Sequence, residues 1–333
     1  MGQRRRLWLV SALALLLVLG WWATSGPPAP TPDPPGTFSF AALGDAPYFP
    51  WEDVQYRLAL RWLDEHELAL VLHVGDLFWR PCTDELYRRS LEWLDELRHP
   101  VLYTPGDNEW TDCWEPGSGG FAPRERLERI RQLFFADPAH SLGGSKLALA
   151  SQAGREPYSE FAENQRLIHD GIVFATVHLV GSHNGFDPFP GRTEADDEAA
   201  RRRTAAATEW MREAFGEAKA RGAVAVVLAW HANPAFEAST DDPYRASYEP
   251  FLSALEEEVE RFGGPVLAVQ GDEHVFVVDH PLVRRTTGAR LENFTRLQVP
   301  GSPRVGWVRV VVTPGATSPF AFEQHVVPRW KYW

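Results

Sequence analysis

Lysine is nearly missing from this chain of 333 residues, standing only at Lys146, Lys219 and Lys331. Arginine carries the basic charge, and acids outnumber bases, giving a formal net charge of −12. A net acidic surface argues against a nucleic-acid backbone as partner. It leaves room for a phosphate group in a metal-lined pocket. The chain also lacks a Gly-x-Ser-x-Gly nucleophile elbow, so Ser-His-Asp hydrolysis of that kind has no support. No domain linker follows Gly36. Cysteine occurs only at Cys82 and Cys113.

What is present begins with a targeting signature. Arg4, Arg5 and Arg6 precede an apolar stretch from Leu7 to Leu19, and small residues including Ala23 and Ser25 follow. A basic head, apolar middle and small-residue exit make an export signal over residues 1–25. Leu7 to Ala23 is also long enough for an untilted span, so an uncleaved membrane anchor is the second reading. Prolines at 27, 28, 30, 32, 34 and 35 make residues 26–36 a stiff spacer. The expected location is therefore outside the cytoplasm, with membrane contact through the N-terminal segment as an option.

Four apolar runs end in Gly-Asp: at Gly44-Asp45, Gly75-Asp76, Gly106-Asp107 and Gly271-Asp272. A fifth, Val224 to Trp230, ends in His231. A short apolar run before a glycine and an acid reads as a buried strand delivering a carboxylate to its end. Parallel strands doing so gather carboxylates on one sheet edge, where a cation must offset their repulsion. Asp45, Asp76 and Asp107 are spaced by the length of one strand-helix unit. Cys82 and Cys113 each lie six residues beyond one of these aspartates. Strands ending on one edge would make the two loops neighbours, and in an exported chain that favours a disulfide.

From Thr37 the pattern alternates. Strands are expected at 37–44, 69–75, 100–105, 171–180, 223–230 and 265–270. Helices are expected at 51–66, 84–97, 124–135, 196–221 and 248–262. The first helix should bury Val54, Leu58 and Trp62, and the second Leu86, Leu91, Leu94 and Leu97. Residues 136–163 read as irregular. Segments 275–278, 294–299 and 305–312 read as short antiparallel strands. Strand then helix, repeated, implies an α/β fold with parallel pairing.

Motif order and context resemble the calcineurin-like metallophosphoesterases, over about Phe38 to Val312. The resemblance rests on Gly44-Asp45, Gly75-Asp76, Gly106-Asp107-Asn108-Glu109, Trp230-His231 and Gly271-Asp272-Glu273-His274. It implies residues 37–333 as one domain, a four-layer α/β/β/α sandwich of two mixed sheets. It also implies hydrolysis of a small phosphorylated substrate, a phosphomonoester or phosphodiester, by water activated at two divalent metal ions. The sequence departs from the family in four places. Pro47 displaces the histidine of the first motif, Asp107 replaces an asparagine ligand, Asn108 stands at the usual catalytic histidine, and Asp272 replaces the first histidine of the last motif. The string at 106–113 resembles an atypical bacterial branch of the superfamily.

Carried onto this chain, the resemblance makes Asp76 the bridging ligand. Asp45 and His274 serve one ion, and Asp107, His231 and Asp272 the other. Asn108 and Glu109 are the catalytic candidates, Asn108 as a hydrogen-bond donor, with Tyr48 an oxygen ligand in place of the missing histidine. Exchanging imidazoles for carboxylates favours manganese, iron(II), magnesium or calcium over zinc. The alternative is a non-catalytic binding module of the same fold with a degraded metal site.

Overall fold

A computed structural model describes residues 30–328 of the chain. The 1–25 targeting segment lies outside the described residues. No helix among the described residues is long and apolar enough to cross a membrane. The unit described here runs from Asp33. Asp33 sits inside the stretch read as a spacer, yet it takes a hydrogen bond from Ser39 and pairs with Arg309 at 2.6 Å. Fixed packing therefore starts before Thr37.

Among the described residues, twelve strands form two sheets. The first contains β1 (Phe38–Leu43), β2 (Val71–His73), β3 (Val101–Tyr103), and, from the end of the chain, β11 (Gly306–Val312) and β12 (Phe320–Val326), in the order β12-β11-β1-β2-β3. The second contains β4 (Ala150–Ser151), β5 (Gln165–His169), β6 (Ile172–Thr176), β7 (Ala225–Ala229), β8 (Val266–Gln270), β9 (Val277–Asp279) and β10 (Phe294–Gln298), in the order β4-β5-β6-β7-β8-β10-β9. Strands β1, β2 and β3 are mutually parallel, as are β6, β7, β8 and β10.

The sheets face each other. Phe40, Ala42, Leu72 and Leu102 from one and Phe174, Val227, Leu267 and Val269 from the other form a single apolar cluster. Alternate residues of the same strands point outward, under helices. Helices α1 (Glu52–Asp64), α2 (Asp84–Asp95) and α3 (Pro123–Phe134) cover the first sheet. Helices α4 (Glu194–Arg221) and α5 (Glu249–Phe262) cover the second. This is the expected four-layer sandwich. Burial on both faces explains why β1, β6, β7 and β8 read as unbroken apolar runs.

Several local expectations need correction. In α1, Val54 is exposed, and the buried face is Tyr56, Ala59, Leu60 and Leu63 with Trp62. The helix is rotated because Tyr56 reaches inward to hydrogen-bond His73 at 2.9 Å. In α2, Leu94 is buried, as is Leu97 just beyond it; Leu86 and Leu91 pack half-buried against the core, and Tyr87 and Ser90 lie deeper. Segment 294–299 is not simply antiparallel. The excursion after β9 returns the chain to the starting end of β8, so β10 runs parallel to β8 and antiparallel only to β9. Strands β5 and β12 were not expected. Both carry polar, partly exposed residues that dilute the alternation.

Candidate metal centre

The carboxyl ends of the parallel strands meet at one edge of the sandwich. Asp45 follows β1, Asp76 follows β2 and Asp107 follows β3. His231 follows β7, and Asp272 and His274 follow β8. The backbone turns sharply there: Asp45, Asp76, Asp272 and His274 have φ of 55°, 56°, 79° and 60°. Such left-handed corners are costly for non-glycine residues and cluster at functional sites. The recurring glycine has a second cause. A Cβ on Gly75 would lie 2.4 Å from the amide nitrogen of Gly106, and one on Gly106 only 2.1 Å from Asp76 Oδ1. Adjacent loops approach too closely for any side chain.

His231 lies at the centre. Its Nδ1 bonds the carbonyl oxygen of Val74 at 2.8 Å, which leaves Nε2 facing the acids. Nε2 is 3.2 Å from Asp107, 3.5 Å from Asp76 and 3.8 Å from Asp272. The two sheets are joined across this point, because the Asp272 amide donates to Asp45 Oδ1 at 2.9 Å. Asp76 accepts from the Asn108 side-chain amide at 2.6 Å and its backbone amide at 3.2 Å, and from the Tyr48 hydroxyl. Asp45 Oδ2 is buried and has no hydrogen-bond partner.

So many buried acids cannot all stay ionised unaided. Burial, against the opposing charge of His231, raises Asp45 to about 7. Asp272 rises to about 6, from burial and then the charge of Asp107. Asp76 is pushed well up by burial. Asp107 ends low: burial raises it, but the hydrogen bonds and charge of His231 and the Ser182 hydroxyl reverse the sign. His231 is held well above its usual value because the Asp76 and Asp107 charges outweigh its burial.

This donor set fits divalent cations. Asp45, Asp76 and His231 offer ligand atoms within 4.8 Å of one another, and so do Asp107, His231 and Asp272. The orphaned Asp45 oxygen points to the same conclusion. His274 belongs to neither group. Its Nδ1 bonds the carbonyl oxygen of Ser302 at 2.8 Å, and its Nε2 lies 3.1 Å from the Tyr48 hydroxyl, which joins it to Asp76 through that phenol. The structure thus centres His231 between the groups instead of assigning it to one side.

Asn108 lies directly on Asp76. Glu109 does not face the cluster's interior: its carboxylate accepts from the amides of Leu77 at 2.6 Å and Gly106 at 3.0 Å. It braces the loop after β2 against the loop after β3. The Cys82–Cys113 disulfide ties the same two loops. His73 is buried, with Nε2 on the Tyr56 hydroxyl and Nδ1 accepting from the Gly75 amide.

Sequence reasoning passed over Ser182 and Asp112. Ser182 Oγ bonds Asp107 Oδ2 at 3.1 Å and Asp112 at 2.7 Å. It sits in a left-handed turn, Ser182 to Asn184, with φ of 52–53°. The available signal was the Gly-Ser pair closing the run after β6.

A family model for calcineurin-like phosphoesterases matches residues 38–276. No curated protein matches the chain in sequence. Among solved structures, that of PhoD superposes with a TM-score of 0.55 at 14% identity, over 89% of this chain and 70% of that one. The protein TT1561 of Thermus thermophilus gives 0.44 at 11% identity, over 88% and 100%. A novel phosphatase of Mycoplasma pneumoniae gives 0.44 at 13% identity, over 89% and 96%. At such identities the likeness to PhoD is one of fold.

Proposed function

Because this chain belongs to the calcineurin-like phosphoesterase family and is a phosphoester hydrolase, we propose that it works with two divalent cations shared among Asp45, Asp76, Asp107, His231 and Asp272. The observation that carries this reading is the convergence of two ligand groups on one imidazole, beside a buried carboxylate oxygen without a partner. The cations supply Lewis acidity, activating water and polarising a phosphoryl oxygen. Four carboxylates to one central imidazole suit manganese, iron(II), magnesium or calcium better than zinc.

The chain's own residues arrange the rest. The Val74 carbonyl fixes the tautomer that turns His231 Nε2 toward the acids. Asn108 does not titrate, so it cannot protonate a leaving group. Its amide, adjoining Asp76, donates a hydrogen bond to a phosphoryl oxygen. Glu109 acts indirectly, as the brace that sets the spacing of Asp76 and Asp107. His274 and Tyr48 hold Asp76 from the far side and form the outer ring of the site.

Elemental analysis of purified protein, with turnover of nitrophenyl phosphate and bis(nitrophenyl) phosphate across divalent ions, tests the proposal. About two ions per chain and ion-dependent hydrolysis are expected. Metal without turnover of any phosphoester leaves only a binding module. Asn108→Ala should lower turnover by about tenfold to a few hundredfold, the scale of one preorganised donor, with metal content unchanged.

The reading also places the protein outside the cytoplasm, exported or tethered. The basic head, the apolar run and a disulfide beside the site support it. Fractionation that recovers full-length protein from the cytosol would refute it.

A further inference from the structure

A buried carboxylate stands behind the acidic cluster and belongs to neither ligand group. Glu52 opens α1 and is 1% exposed. Among the described residues no basic side chain pairs with it. The N-terminal end of α1 favours its charge through the helix dipole. Burying an anion without a paired cation is still costly, so what its two oxygens hold is informative.

Oε2 accepts from the Tyr48 backbone amide at 2.8 Å, and Oε1 from the Ser302 hydroxyl at 2.9 Å. Neither bond caps α1. Tyr48 lies ahead of Trp51, the residue at the N-cap, and Ser302 lies 250 residues further on, between β10 and β11. The carboxylate therefore clamps the loop after β1 to the loop after β10.

Both loops end on groups of the metal centre. The Ser302 amide donates to the carbonyl oxygen of Asp45 at 2.7 Å, and the Ser302 carbonyl accepts from His274 Nδ1 at 2.8 Å. Gly301 is pressed between the same two residues: a Cβ there would fall 2.4 Å from Asp45 Cβ and 3.1 Å from His274 Cγ. The Tyr48 hydroxyl, on the other arm, donates to Asp76 and lies 3.1 Å from His274 Nε2. Asp45 and Asp76 are two of the three members of one ligand group. The carboxylates of the other group are held by different residues, Ser182 on Asp107 and the Asn233 amide on Asp272 at 2.7 Å.

We infer that Glu52 is a positioning residue of the metal centre. By fixing Tyr48 and Ser302 it sets the places of Asp76 and Asp45, and so the affinity for one ion of the two. The inference rests on the two-cation reading of the cluster. The role lies in the pair of hydrogen bonds. A glutamine can make both, its oxygen accepting from the Tyr48 amide and its amide donating to Ser302 Oγ, whereas an alanine can make neither.

Calorimetry with manganese(II), on the full chain after chelator treatment and desalting, reads the two binding events. Glu52→Ala should weaken one event by about 10–100-fold, the range for a group that orients a ligand from behind, and leave the other near wild type. Glu52→Gln should bring the weakened event back toward wild type. Ser302→Ala removes one arm of the clamp and should weaken the same event by less; it is the milder probe if Glu52→Ala fails to fold. In the double variant the losses should fall short of their sum, because the two residues share one bond. Two unchanged events in the alanine variants, or an equal loss at both, would overturn the positioning role and leave the two-cation reading standing. Glu52→Gln as weak as Glu52→Ala would overturn the hydrogen-bond clamp. Wild-type protein that binds no manganese would overturn the two-cation reading, and this inference with it.

Discussion

Two buried clusters of ionisable groups lie within this fold, and they treat charge in opposite ways. In one, Arg131, Glu163 and His178 form a closed array. Arg131 contacts Glu163 through two bonds of 3.0 and 2.7 Å, and His178 Nδ1 completes it at 2.7 Å. Burial raises Glu163, but Arg131 and His178 reverse this and hold it far below its ordinary value. Burial lowers His178 to about 4, so it is neutral at neutral pH and the array carries no net charge. In the other, four aspartates surround His231, and one carboxylate oxygen is unmatched. The first cluster balances its own charge as folded, although His178 Nε2 is buried without a partner. The second is arranged for a positive charge from outside the chain. Burial alone does not distinguish structure from function; the balance of charge inside the buried set does.

That contrast can be broken most decisively at Asp76. Asp76→Asn should abolish hydrolysis and lower metal affinity by more than the roughly 10–100-fold typical of an outer partner. Chelated protein should be little changed in stability, because the substitution removes a charge that burial already disfavours. Calorimetric melting with and without divalent ion checks this. A large loss of stability in chelator would mean that Asp76 is structural.

Glu163→Gln should do the reverse. It leaves Arg131 without its anion, which typically costs about 3–5 kcal/mol, while metal content stays at the wild-type level. Denaturant unfolding alongside elemental analysis separates the two outcomes. Loss of metal in this variant would erase the distinction between the clusters.

The smaller effect is in pH. In chelator, Asp45 at about 7 and Asp272 at about 6 lie above their unfolded values. The folded chain then binds more protons, and this contribution to stability is lost as pH rises through that window. His178, lowered to about 4, has the opposite sign, since the unfolded chain takes up the proton first on acidification. With divalent ion bound, the aspartates stay ionised throughout this range and no longer offset His178. Melting temperature should therefore drop clearly from about pH 7 to about pH 5 with ion, and much less in chelator. Superimposable profiles would exclude a cation from the cluster.

Much of the site was legible in one dimension. The Gly-Asp pairs after Leu43, Val74, Pro105 and Gln270 announced their strands because strands covered on both faces must be continuously apolar, and because loops crowded at one edge tolerate only glycine. The paired offsets of Cys82 and Cys113 found the disulfide for the same geometric reason. Strands β5 and β12 escaped notice because one face of each stays wet or pairs with charged neighbours, which mixes the two-residue period. Glu109 looked like a candidate for chemistry, since sequence order cannot tell a carboxylate facing a ligand from one facing two backbone amides.

The sequence by itself determined the alternating α/β plan, the set of acids and imidazoles, and their delivery to strand ends, because these follow from local periodicity and from residue type. Tertiary structure alone decided that His231 sits between both ligand groups and that Ser182 reaches Asp107. These facts depend on how two sheets, built from distant parts of the chain, pack face to face. Distances of a few ångström across such a junction arise from packing, which no local pattern encodes.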